Sequence, residues 1–174
     1  MNDTAILTAR ALFPRGLHQP QDSYRFGADA LLLAAFAAES LSSLPGTASR
    51  KVAELGSGCG AALLGLCLYL SHSHQADVLS RQRSGTQPSE APSVVADGQS
   101  AGEGCGGNNT LRLDALGLEQ DTALCAAATA NARLLGLEDV CRFRQGDLAD
   151  THFLRDCGEN AFHLVLANPP YALA

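Results

Sequence analysis

The sequence predicts an α/β fold built on one mostly parallel sheet, and three observations carry that prediction. Short apolar stretches with strand character alternate with helical ones along most of the chain. The first such stretch, Lys51 to Leu55, runs directly into Gly56-Ser57-Gly58-Cys59-Gly60 and then into an apolar helix from Ala61 to Leu70. A strand that turns through close glycines into a helix puts bare backbone at the carboxyl end of a sheet, where ligands bind. Lastly, three strands in a row end in an acidic or glycine-rich corner and a fourth ends in Asn168-Pro169-Pro170-Tyr171. That coincidence is more specific than any one of its members.

The chain has 174 residues, enough for one domain with a sizeable core, and its 46% hydrophobic content fits a globular protein. A cap segment and helix over 1–50 precede the sheet-forming part, 51–174. A net charge of −6 argues against broad electrostatic adhesion to nucleic acid or to an anionic membrane, so a nucleic-acid substrate would need a local basic patch. Lys51 is the single lysine, and the arginines that supply the other positive charges suit forked contacts with phosphate or stacking on bases. The six cysteines form no CxxC pair and no secretory leader pattern opens the chain, so free thiols in a reducing cytoplasm are expected. The longest apolar block, Ala30 to Ala38, is too short to span a bilayer, and no membrane association is expected.

In chain order, Asp3 to Leu12 has the character of a short helix, and Pro14 and Pro20 forbid a continuous helix in the segment that follows. Gly27-Ala28-Asp29-Ala30 then opens a strongly apolar helix with Asp29 in its first turn, where a carboxylate suits the helix dipole. A core helix with a favourably placed acid explains these residues equally well. Glu54 stands two residues before the first glycine of the turn, placed to meet an ammonium group. Gly56, Gly58 and Ala61 satisfy the loose dinucleotide pattern GxGxxA, but the additional Gly60 and Glu54 tilt the turn away from a nicotinamide cofactor.

Between about 71 and 110 serine, glycine, glutamine and proline dominate, and a disordered insertion is expected. His72, His74 and the distant Cys105 lack the spacing of a metal site, and no metal is expected. The pattern resumes with a strand from Leu111 to Glu119 and an alanine-rich helix that opens at Asp121, reaches Leu135 and stops at Gly136. An acid at the end of the second strand of a βαβ unit suits ribose hydroxyls, and Glu119 holds that place; a solvated helix-start acid is the plainer alternative. Val140 to Gln145 forms a third strand, with Asp147 just past its end, where it could accept from an exocyclic amine or simply close a turn.

The fourth strand, an apolar run from Phe162 to Ala167 that is expected to be buried, delivers the chemistry. Two successive prolines fix the backbone and donate no N–H, so the carbonyls of Asn168 and Pro169 are free to face outward as acceptors. The Asn168 side chain adds another acceptor, and Tyr171 a flat face on which a ring can stack. Together these residues form a clamp for a planar amine, with a plain strand-ending turn as the alternative.

These residues resemble the class I S-adenosylmethionine-dependent methyltransferases. Glu54-x-Gly56-x-Gly58-x-Gly60 is similar to their first motif, Glu119 to the ribose-binding acid, Asp147 to the adenine-side acid, and Asn168-Pro169-Pro170-Tyr171 to the catalytic motif of the amino-methylating branch. That branch includes adenine-N6, rRNA guanine-N2 and protein-glutamine methyltransferases. Leu17-His18-Gln19-Pro20, Tyr24-Arg25-Phe26 and Asp29 to Ala34 further resemble the bacterial family that methylates N6 of an adenine in the anticodon loop of valine tRNA, although Ser23 stands where that pattern has glycine. The resemblance implies S-adenosylmethionine as cofactor, tRNA as substrate, and a covering role over the cofactor for Tyr24, Phe26 and Asp29. It also implies a Rossmann-like class I methyltransferase fold with strand order 3-2-1-4-5-7-6, of which this chain would hold only the N-terminal half, strands one to four.

Overall fold

The computed structural model describes residues 2–45, 49–83, 112–158 and 160–169, with 73–83 described by their backbone alone. Pro170, Tyr171, Cys105 and most of the expected insertion lie outside the described residues. Nine elements follow in order: α1 (Asp3–Leu12), α2 (Ala28–Ser43), β1 (Ser49–Leu55), α3 (Ala61–Arg83), β2 (Arg112–Glu119), α4 (Thr122–Leu134), β3 (Cys141–Gln145), α5 (Thr151–Gly158) and β4 (Leu164–Ala167). The strands form one sheet in the order β3-β2-β1-β4, every pair parallel. Each return between neighbouring strands therefore carries a helix, as parallel pairing demands.

Local chemistry explains where the helices start. The Asn2 side chain accepts from the N–H of Ala5 at 3.0 Å to cap α1, and Asp121 accepts from the N–H of Leu124 at 2.9 Å to cap α4. Gly136, at φ 62°, ends α4 in the left-handed conformation that the sequence implied. Arg10 of α1 donates to the carbonyls of Leu135 and Gly136 at 2.8 and 3.2 Å, so a guanidinium covers the negative end of α4.

The core lies between the sheet and the α2–α3 pair. The buried face of α2 is made of Ala30, Ala34, Ala37, Ala38 and Leu41, and α3 contributes the fully buried Leu63, Leu64 and Leu66. Small residues let the two helices approach closely, and a Cβ added at Gly65 would stand 3.2 Å from that of Ala34. Register places Val52 beside Ala115 and Leu164, and Glu54 beside Gly117 and Leu166, so these residues share one sheet face. Ala53, Leu55 and Val165 belong to the opposite face, where they line a cavity of about 410 Å³ together with Leu154 and Cys157 of α5.

Three expectations are revised. α3 continues to Arg83, so the first part of the stretch expected to be unstructured is helical. The Ser71 hydroxyl and the His72 ring satisfy the carbonyls of Cys67 and Leu68 on the ladder of the preceding turn, which lets these polar residues extend an apolar helix. α5 was not foreseen; its start is set by Asp150, whose carboxylate accepts from the N–H groups of His152 and Phe153 at 2.8 and 3.3 Å. β4 is less buried than its apolar run suggested. Leu166 is covered, but Val165 on the other face is 53% exposed. Among the described residues no helix is long and apolar enough to cross a membrane, and no group of three or more His, Cys, Asp or Glu could hold a metal ion.

Candidate active site

A cavity of about 330 Å³ opens at the carboxyl ends of β1 and β2, with Asn168 after β4 also in its wall. Strand ends of a parallel sheet point their last residues there, on either side of the point where the chain order reverses between β1 and β4.

The floor is the loop after β1. Gly56, Gly58 and Gly60 have φ of 66°, 55° and 85°, a left-handed backbone that is strained for any residue with a side chain. They differ in what surrounds them. At Gly56 and Gly58 an added Cβ would meet nothing within 4 Å, because their α-carbons face the open cavity; at Gly60 it would strike Phe143 and Leu64. Gly60 is therefore a packing glycine behind the loop, and Gly56 and Gly58 line the cavity. The Ser57 N–H donates to the Leu118 carbonyl at 3.0 Å, which fastens the loop to the end of β2. Ser57 lines the cavity, and its buried hydroxyl, which lies toward Gly117, has no hydrogen-bond partner.

Two acids stand beneath this loop. Glu54 is 2% exposed and accepts from the Leu63 N–H at 3.2 Å, at the start of α3. Burial pushes its carboxyl up to about 8; the bond from Leu63 opposes that rise and the nearby Glu119 charge adds to it. Glu119 accepts from the Gly58 N–H at 2.6 Å through one oxygen and from the Asp121 N–H at 2.9 Å through the other. The outer wall comes from the segment before α2, where half-buried Phe26 and exposed Tyr24 line the cavity mouth.

Asn168 donates from Nδ2 to Asp29 Oδ2 at 2.6 Å. Asp29 does not itself line the cavity; it stands behind Asn168 in the first turn of α2. Asp147 is exposed and closes a turn by accepting from the Ala149 N–H at 2.8 Å, while its neighbour Leu148 reaches the cavity. Pro169 follows Asn168 at the exposed surface. Thus Tyr24, Phe26, Glu54, Gly56, Gly58, Glu119 and Asn168 converge on one cavity, with Asp29 and Gly60 supporting it from behind.

Asn131 joins the site from a position that sequence reasoning passed over. It is fully buried in α4, accepts from the His18 N–H at 2.8 Å, and donates to the carbonyls of His18 and Cys59 at 3.0 Å each. One amide therefore ties the N-terminal segment to the glycine loop. Its sequence signal was a lone amide among the small apolar residues of an alanine-rich helix. Ser57 and Gln120 line the cavity as well, and both are neighbours of residues that the sequence had singled out.

The cavity fits an elongated ligand with an ammonium group and a ribose. It combines an open glycine floor, an orphaned buried hydroxyl, the Glu119 carboxylate and a Glu54 carboxyl that burial keeps protonated until an opposite charge enters. Carboxylates meet ammonium groups and paired hydroxyls, whereas a phosphate-rich ligand would be repelled by them.

No protein-family model and no curated protein sequence matches the chain. Solved structures do. The N-terminal domain of human METTL16 in complex with SAH aligns at TM-score 0.51 and 15% identity over 98% of this chain and 55% of that one. The human methyltransferase 10 domain containing protein aligns at TM-score 0.50 and 14% identity over 99% of this chain and 64% of its own. PH1948 from Pyrococcus horikoshii, a proposed RNA methyltransferase, aligns at TM-score 0.50 and 17% identity over 98% of this chain and 60% of its own. The chain thus spans between 55% and 64% of the length of these three structures. Its four parallel strands have the Rossmann-like α/β fold of the class I methyltransferases.

Proposed function

We propose that the chain binds S-adenosylmethionine and acts in N-methylation of a planar amine, with N6 of an adenine in RNA, most simply a tRNA, as the substrate. The observation that carries this reading is the placement of Asn168 in the wall of the glycine-floored cavity, with its Nδ2 held by Asp29. The likeness in fold to the SAH-bound human METTL16 domain and to PH1948 supports the cofactor class and the RNA substrate respectively.

In this reading Glu54 lies where the ammonium of the methionyl end would sit, Glu119 faces the ribose hydroxyls, and Tyr24 and Phe26 cover the site. The bound cofactor supplies an electrophilic methyl group. The chain's own part is orientation. Asn168 Oδ1 accepts one hydrogen of the exocyclic amine, so that the nitrogen lone pair is turned toward the methyl carbon. Pro169 and Pro170 would hold the corner rigid and Tyr171 would stack on the base. No strong base is needed, because the methylated nitrogen readily loses its additional proton to water.

Transfer of a labelled methyl group from S-adenosylmethionine to unmodified tRNA transcripts tests the proposal, with rRNA fragments and glutamine-containing peptides in parallel. Label on adenine N6, abolished by Asn168→Ala with S-adenosylhomocysteine affinity retained, is the expected result. Label on guanine N2 or on a peptide amide would move the substrate class but keep the clamp. A cofactor-binding module without turnover is the alternative reading. Cofactor binding with no transfer to any of the three would establish it.

A further inference from the structure

We infer that Asp29 is a positioning residue that sets the hydrogen-bonding polarity of Asn168, and thereby makes the wall of the cavity an acceptor. The inference rests on the proposed amine chemistry for its consequence, but its geometry stands apart from it.

An asparagine amide presents an acceptor on one side and a donor on the other, and nothing in the amide itself chooses which faces a ligand. A carboxylate does choose, because when ionised it only accepts. Asp29 Oδ2 lies 2.6 Å from Asn168 Nδ2, a charge-assisted contact between half-buried groups. The opposite assignment would bring two acceptors together at that distance. Nδ2 is therefore held by Asp29, and Oδ1 is left to accept from whatever enters the cavity.

Asp29 is itself held in place. Its Oδ1 occupies the space where a Cβ at Gly27, the N-cap of α2, would be, so glycine there leaves room for this placement of the carboxylate. Its position in the first turn of α2 sets the carboxylate beside the positive helix end, which suits an acid. The same helix is anchored to the core through Ala30 and Ala34, so the carboxylate is mounted on a rigid element. Asp29 does not line the cavity, and this separates its role from cofactor contact.

The consequence is selectivity for a donor. A substrate group with hydrogens to give is oriented by Oδ1, whereas a bare carbonyl or ring nitrogen meets an acceptor and is rejected. With Asp29→Asn the amide at 168 is no longer forced one way, and a share of molecules would present Nδ2 to the substrate.

The test is the side-chain amide spectrum of isotopically labelled protein, with the Asn168 signal assigned from Asn168→Ala. In the native chain one Asn168 Nδ2 proton should be shifted downfield and slowed in solvent exchange; in Asp29→Asn and Asp29→Ala the two protons should lose this difference. Affinity for S-adenosylhomocysteine should change by less than about threefold in both variants, and Asp29→Asn should lower kcat by roughly 10- to 100-fold with little change in KM for the substrate found above. The exchanged pair Asp29→Asn with Asn168→Asp keeps an acceptor at 168 and restores its donor, and should recover part of the loss. Unshifted Asn168 protons in the native chain, or a collapse of S-adenosylhomocysteine binding in folded Asp29→Asn, would overturn the inference, the latter by making Asp29 a cofactor ligand. Absence of methyl transfer with the amide signature intact would fall on the proposed function alone.

Discussion

The Gly58 N–H donates to Glu119 Oε2 at 2.6 Å, joining the loop after β1 to the last residue of β2. A backbone N–H on an ionised oxygen is among the stronger hydrogen bonds available to a protein. Its geometric effect matters as much, because one end of the cavity floor is thereby pinned to the wall that faces it. Glu119→Ala should release the loop and remove the ribose acid together. We expect S-adenosylhomocysteine affinity to fall by at least roughly 30-fold, equivalent to about 2 kcal/mol, in a chain that remains folded by circular dichroism.

The three loop glycines should separate by assay. Gly56→Ala adds a methyl group to open space at positive φ, so its cost is backbone strain of about 1 to 2 kcal/mol plus intrusion into the cavity. Gly60→Ala adds the same strain and an overlap with Phe143 and Leu64, and should lose about 2 to 4 kcal/mol in urea denaturation. Binding should suffer most in Gly56→Ala and stability most in Gly60→Ala. An inverted order would contradict the assignment of floor and support.

Asn131→Ala should destabilise the chain by about 1 to 3 kcal/mol, since it leaves the buried Cys59 carbonyl and the part-buried His18 N–H and carbonyl without their partner. Asn131→Asp should be no better, because a carboxylate cannot donate to either carbonyl. Denaturation midpoints of the two variants against the native chain check both statements.

Much of this arrangement was legible in the sequence, and the residues show why the rest was not. Glu54, the glycines and Glu119 were readable because strand ends and tight turns announce themselves within a few residues. The tie between Asp29 and Asn168 spans 139 positions, and no local pattern encodes it. Asn131 failed for the same reason, as its partners lie 113 and 72 positions away. Gly60 was grouped with its neighbours because spacing cannot distinguish a glycine that faces a ligand from one that faces a phenylalanine. Helix α5 escaped because its eight residues make only about two turns, a window too short to tell a helix from a turn by pattern.

The buried Glu54 makes stability depend on pH in a direction opposite to that of most carboxylates. Its carboxyl rises from an ordinary 4.5 to about 8 in the folded chain, so the proton is held more tightly folded than unfolded. The stabilisation from the neutral form is complete below pH 4.5 and is lost as pH climbs toward about 8, at up to ~1.4 kcal/mol per unit. Glu54→Gln mimics the neutral form and should flatten this loss. Urea midpoints of the two proteins at matched pH values across that window should diverge as pH rises; parallel curves would mean that Glu54 is ionised in the folded chain.

The central claim is that the cavity floored by Gly56 and Gly58 is a cofactor site, and calorimetric titration of the 174-residue chain with S-adenosylhomocysteine tests it most directly. We predict binding at one site with a dissociation constant on the order of micromolar, equivalent to roughly 8 kcal/mol, and weakened in Gly56→Ala and Glu119→Ala. No heat of binding from a chain shown to be folded, or binding indifferent to both substitutions, would contradict it.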